Sequence, residues 1–143
     1  MINIDAAILP WEGIGGIKLY SHIKNLKNVI ISEKATSFLY DRFLVRYEIQ
    51  DTLYLFFNII NGKLFKITAL KDYRGKTVNG ICIGQKITDA LLLDNSFEYD
   101  DFEEVYVSPN GIFIETDPLT ERIQWISVFV KELETEIFDD AMW

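Results

Sequence analysis

Hydrophobic positions change their period several times along these 143 residues, and each change marks an element. From Ser21 onward, Ile23, Leu26, Val29 and Ile30 recur at three- and four-residue spacing, the face of a short helix. The Ser21 hydroxyl stands where it can cap the first free amide groups. Phe38 and Leu39 begin an extended stretch, and residues 43–49 alternate in their second half as a strand does. Residues 53–60 are too apolar for a strand with one wet face, which predicts a central position. Asn61-Gly62 then reads as a two-residue type I′ hairpin, since both residues tolerate positive φ. Residues 63–70 return as a strand, with Leu64, Lys66 and Thr68 alternating against Phe65, Ile67 and Ala69.

The second half runs the same programme. Gly80-Ile81-Cys82-Ile83-Gly84 reads as a short buried strand, and it echoes Gly16-Ile17-Lys18-Leu19 at 64 positions earlier. A helix follows over 86–93, with Ile87, Ala90 and Leu91 on its apolar side. Strands are predicted over 105–107, 112–114 and 123–130, separated by turns at Ser108-Pro109-Asn110-Gly111 and 117–121. Residues 112–114 match 53–55, and Ile126 matches Ile67, both at an offset of 59. Self-similarity of this kind predicts a repeated architecture. The expected fold is α+β: two tandem strand–helix–meander repeats, 13–71 and 77–130, in one pseudo-symmetric domain with a mainly antiparallel sheet of three-strand meanders. Ile17, Leu19, Ile81 and Ile83 should be buried at equivalent places. The polar joint at 72–76 is too short to separate two domains, and an acidic tail occupies 131–143.

This layout resembles the tandem αβ repeats of the β-lactamase-inhibitor-protein and small outer-membrane lipoprotein type. Gly16, Ile17 and Leu19 carry the resemblance in the first copy, and Gly80, Ile81, Ile83 and Gly84 in the second. Tyr20 stands where the pattern wants glycine, and Gln85 where it prefers Ser or Thr. The resemblance implies a twisted sheet that presents aromatic and acidic side chains to a partner protein. The lipoprotein branch, with its signal peptide and lipidated cysteine, is not matched by Met1-Ile2-Asn3-Ile4-Asp5.

Charge distribution sharpens the picture. The net charge is −8, but residues 1–76 carry 11 Lys and Arg against 7 Asp and Glu, and residues 77–143 carry 3 against 15. Nucleic-acid binding needs clustered cations, so this asymmetry points away from it. A negative surface instead attracts a basic partner. No apolar run reaches the roughly 20 residues of a membrane span. Cys82 is a lone cysteine without an internal disulfide partner, and the cytoplasm is the expected compartment.

Catalytic chemistry has few candidates. His22 is the one histidine, so no Ser–His–Asp, Cys–His or multi-histidine metal site can be assembled within the chain, and His22 reads as a surface or capping residue. Gly13, Gly15 and Gly16 lack the Lys and Ser/Thr of a phosphate loop. No EF-hand pattern occurs, so neither a metal nor a cofactor is expected, and the chain reads as a non-enzyme. What remains is the stretch 94–104, with six acids, three aromatics and no cation. Asp94, Glu98, Tyr99, Asp100, Asp101, Glu103 and Glu104, with Tyr106 beyond, are the candidate partner-binding residues: the aromatics anchor and the carboxylates pair with Lys or Arg. The expected function is that of a bacterial immunity protein, which neutralises a basic toxin, such as a nuclease, by covering its active or substrate-binding site. The alternative is a non-catalytic adaptor or assembly module that binds a peptide along a sheet edge.

Overall fold

The computed structural model describes residues 2–143. The architecture is α+β, with one eight-stranded antiparallel sheet, a small two-stranded ribbon and two short helices. The ribbon pairs β1 (Gly13–Ile14) with β2 (Ile17–Lys18). A 3-10 turn at Ile23–Leu26 leads into α1 (Lys27–Ser32). β3 (Thr36–Asp41), β4 (Leu44–Ile49), β5 (Leu53–Asn58) and β6 (Leu64–Ala69) form an up-and-down meander. α2 (Ile87–Leu93) precedes a second meander of β7 (Glu98–Asp100), β8 (Val105–Ser108), β9 (Ile112–Thr116) and β10 (Ile123–Phe129). The strand order β3-β4-β5-β6-β10-β9-β8-β7 joins the two meanders along β6 and β10.

Each meander therefore has four strands, one more than the hydrophobic pattern predicts. The additional ones, β3, which takes up the extended stretch expected from Phe38 and Leu39, and β7 lie at the two edges, where no buried face imposes alternation. The strand expected over residues 80–83 does not form. This segment is irregular, and Cys82 is half-buried outside any strand. Ile81 is fully buried as expected, as are Ile17 and Leu19, while Ile83 is only half-buried.

Asn61-Gly62 also does not form a two-residue turn. Gly62 has φ +72°, but Asn61 does not share a positive φ, and the loop spans four residues between Asn58 and Lys63. The Asn58 side chain accepts from the Ile60 amide at 2.9 Å, and the Asn61 side chain from the Lys63 amide at 2.9 Å. Side chains that close their own loop in this way stabilise a longer turn than the dipeptide suggests. The helix cap is likewise displaced by one residue: His22, not Ser21, caps the 3-10 turn, its Nδ1 accepting from the Lys24 amide at 3.2 Å.

The aliphatic core lies on one face of the sheet, while Phe56, Thr68, Ser127 and Phe129 are buried on the other. Leu53, Leu55 and Phe57 on β5, Ile67 and Ala69 on β6, Ile126 and Val128 on β10 and Ile114 on β9 are all fully buried. The lead-in segment is tied to the joint between the halves, where Arg74 and Gly75 amides donate to the Ile4 carbonyl and the Ile8 amide to the Lys76 carbonyl, each at 2.9 Å. Tyr73, in a joint that reads as polar, is buried: its hydroxyl accepts from the Gly15 amide at 3.0 Å and donates to the Ala6 carbonyl. The tail folds back on the first half. Phe138 packs on Phe65 with ring centroids 5.0 Å apart, Trp143 stacks on Phe138, and the Lys63 ammonium donates to the Trp143 carbonyl at 2.7 Å. Among the described residues no helix is long and apolar enough to cross a membrane.

Candidate functional site

Side chains alternate across a sheet, so the aliphatic face leaves a second face of different chemistry. Strand register sets two rungs of side chains across it. One runs Thr36, Glu48, Tyr54, Thr68, Ser127, Phe113, Val107 and Glu98. The other runs Phe38, Arg46, Phe56, Lys66 and Phe129, alternating aromatic and cation. The Arg46 guanidinium lies 4.7 Å from the Tyr54 ring centroid and 5.5 Å from that of Phe38, and the Lys66 ammonium lies 4.8 Å from that of Phe56. Such stacking favours cations that have lost part of their water.

The charges on this face are partly compensated. Arg46 is ion-paired to Glu48, yet its Nε is buried without a hydrogen-bond partner among the described residues. Burial pushes the Lys66 pKa down, opposed by the nearby Glu115 carboxylate. Burial pushes the Glu115 pKa up, opposed by Lys66. At the centre the Thr68 and Ser127 hydroxyls bond each other at 2.7 Å, both buried. A cleft of about 490 Å³ opens between Tyr54 and Trp125 at one end of the sheet. This ladder is not legible in the sequence of any one strand. The alternation of Lys66 and Thr68 is legible within one strand, but the ladder exists only through register between strands.

The acidic stretch occupies the opposite end of the sheet from β3. β7 is an edge strand, and the loop to β8 projects from it. Asp100 organises that loop: its carboxylate accepts from the Phe102 and Glu103 amides at 2.9 and 3.1 Å, and its carbonyl from the Glu104 amide at 2.8 Å. Asp101, Glu103 and Glu104 are exposed around Phe102, which is 90% exposed. Phe97, three residues before β7 ends, is instead buried in the core.

The eight candidate residues do not form one patch. Tyr99 and Tyr106 pair across β7 and β8 with ring centroids 4.9 Å apart, and they border a groove with Glu104 and with Thr88 and Leu91 of α2. Partial burial, then the nearby Glu104, Tyr106, Asp101 and Asp100, raise the Tyr99 pKa. Glu98 and Asp100 point to the other side, where they line a cleft of about 620 Å³ with Glu134 of the tail. Asp94 belongs to the backbone: it ends α2 and accepts from the Ser96 amide and hydroxyl at 2.9 and 2.6 Å and from Asn79 at 3.3 Å. Burial disfavours its charge, but these bonds outweigh that and hold its pKa below the ordinary range. Among the described residues no group of three or more His, Cys, Asp or Glu side chains could hold a metal ion.

Comparison with known proteins reaches the fold alone. No protein-family model and no curated protein sequence matches the chain. Among solved structures it is similar to the crystal structure of a cysteine-rich secretory protein from Staphylococcus aureus, at 14% sequence identity and a TM-score of 0.52. The similarity covers 91% of this chain and 50% of that one, so this chain spans half the length of the protein it matches.

Proposed function

We propose that this chain is a non-catalytic inhibitor of the immunity-protein kind, which acts in the cytoplasm and covers the cationic site of a basic toxin. The observation that carries the reading is Phe102, an almost fully exposed aromatic set among three carboxylates on a turn whose backbone Asp100 already holds. An apolar ring kept in water on an ordered turn contributes nothing to the fold and suits burial against a partner. The surrounding carboxylates supply attraction for Lys and Arg. Glu98 connects this edge to the aromatic face by the rung that ends on it.

The same reading includes a tandem repeat related by a pseudo-twofold axis, as in the inhibitor type that the sequence resembles. Its support is a set of hydrogen bonds that recur at the sequence offsets of 64 and 59. Tyr20 N to Leu64 O at 2.8 Å has its counterpart in Gly84 N to Ile123 O at 2.8 Å. Ile23 N to Gly62 O at 2.8 Å has its counterpart in Ile87 N to Glu121 O at 3.0 Å. The isolated bridges His22–Lys63 and Lys86–Arg122 obey the same two offsets. Superposition of residues 14–70 on 78–128 tests the repeat, and elements that fail to overlay in order reject it.

Function is tested in cells. Expression of a basic toxin encoded beside this chain should arrest growth, and co-expression of the wild-type chain should restore it. The variant Asp101→Lys/Glu103→Lys/Glu104→Lys, whose changes lie on an exposed turn, should fold and fail to rescue. Equal rescue by that variant would remove the acidic turn from the interface.

A further inference from the structure

The two edges of the large sheet are protected very differently. β7 is three residues long and carries Glu98 and Asp100, with Asp101 next, so an arriving strand meets carboxylates. Short, charged edges resist pairing, whereas long apolar ones invite it. β3 has six residues, all exposed, with no charge before its last residue Asp41, and β4 is its one neighbour in the sheet. It continues into an apolar surface. Leu39 is 68% exposed, Phe43 47% and Ile60 55%, and the Ile59 amide donates to the Phe43 carbonyl at 2.8 Å, which joins the β3–β4 and β5–β6 loops.

We propose that β3 is the pairing edge of a symmetric dimer, in which two copies of this chain join antiparallel into one continuous sheet. Charge argues for a second copy as the occupant. A twofold interface sets a patch against itself, so the patch must be self-complementary. Residues 33–43 carry Glu33, Lys34, Asp41 and Arg42, two charges of each sign. Over the chain as a whole, a net charge of −8 makes two copies repel each other. The strongly acidic edge β7 lies seven strand spacings from β3, about 33 Å at the usual separation of paired strands. Joining through β3 therefore keeps the two acidic edges as far apart as the fold permits. Side-chain chemistry agrees, because Phe38 ends the rung of alternating aromatics and cations, and the twofold sets two such rungs end to end. The irregularity in pairing with β4 between Leu39 and Asp41 confines the regular edge to Thr36–Leu39 and puts the axis within it. Both acidic turns remain free, so this dimer does not depend on the inhibitor reading.

Sedimentation equilibrium on the full chain, from about 5 to about 500 µM, measures the association directly. The expected mass rises from 16.6 kDa toward twice that value. Leu39→Lys, at an exposed position, should keep its circular dichroism and remain at monomer mass throughout, while Asp101→Lys should dimerise like the wild type. Hydrogen exchange should show β3 amides gaining protection as the wild-type concentration rises. A wild type that stays monomeric at the highest concentration overturns the dimer, as does a Leu39→Lys protein that associates as strongly. β3 amides protected only when a different protein is added would assign the edge to that partner and reject self-pairing.

Discussion

Thr68 and Ser127 show how single residues define the second face of the sheet. They are small, buried polar side chains in the middle of a face otherwise built from aromatics and charges, and their hydroxyls satisfy each other across β6 and β10. Thr68→Val leaves the Ser127 hydroxyl buried with no partner and should cost about 1–3 kcal/mol. The double change Thr68→Val/Ser127→Ala should cost less than the sum of the single ones, because it removes both ends of the bond. Urea unfolding of the four proteins checks this, and strictly additive values would mean that the hydroxyls do not depend on each other. Lys66 and Glu115 are a harder case for the fold. Each is disfavoured in its charged form by burial, and each limits the other's shift.

At the scale of elements, the segment before α1 meets the β5–β6 loop through His22 and Gly62. Gly62 is required twice over, by its φ of +72° and because a Cβ there would stand 2.4 Å from Nε2 of His22. Gly62→Ala should therefore destabilise by about 1–3 kcal/mol, combining backbone strain with the collision. His22→Ala removes the cap and should cost about 0.5–2 kcal/mol. In the His22→Ala background, Gly62→Ala should cost measurably less, since only the backbone strain remains. Thermal unfolding of both variants and the double variant reads the difference, and an equal cost in both backgrounds would exclude the ring contact. Tyr20 illustrates the opposite compromise. It holds φ +70°, a left-handed conformation that favours glycine. Its hydroxyl donates to Glu132 at 2.9 Å and its ring meets Trp143 edge-on, contacts that offset the strained backbone and anchor the tail.

On the scale of the whole molecule, charge is segregated along the sheet. The excess of cations in residues 1–76 includes Arg46 and Lys66 of the aromatic rung, whereas the acidic half ends in the β7 edge. If the acidic turn meets a basic protein, reversal of Asp101 and Glu103 to Lys should slow association more than it speeds dissociation, because rim charges act on encounter. Raising salt from about 50 to about 500 mM should weaken the wild type far more than this variant, as the screening length contracts to a few ångström. Phe102→Ala should act differently, by shortening the residence time with little salt dependence. Surface plasmon resonance at the two salt concentrations separates the two effects. Binding indifferent to salt and to reversal would move the interface off the acidic turn and onto the basic first half of the chain.

Much of this is legible in the sequence itself. Residues 53–60 read as central because a strand buried on its core face and flanked by aromatics on the other loses polar alternation, and β5 lies inside the sheet. The helix over 86–93 was equally plain from Ile87, Ala90 and Leu91. Periodicity fails where burial is absent: β3 and β7 have little or no buried face, so no alternation reveals them, and β3 shows in the sequence only as the extended stretch from Phe38 and Leu39. It also misleads where burial comes without pairing, as at Ile81, whose apolar neighbours suggested a strand that never forms. Local chemistry in residues 94–104 announced an acidic, aromatic loop, but not that Asp94 and Asp100 spend their carboxylates on backbone amides while Asp101, Glu103 and Glu104 face water. The rung of Phe38, Arg46, Phe56 and Lys66 belongs wholly to tertiary structure. A strand's own sequence sets which side chains share a face, and only the register between strands, fixed by packing of the aliphatic core on the other side, decides which of them touch.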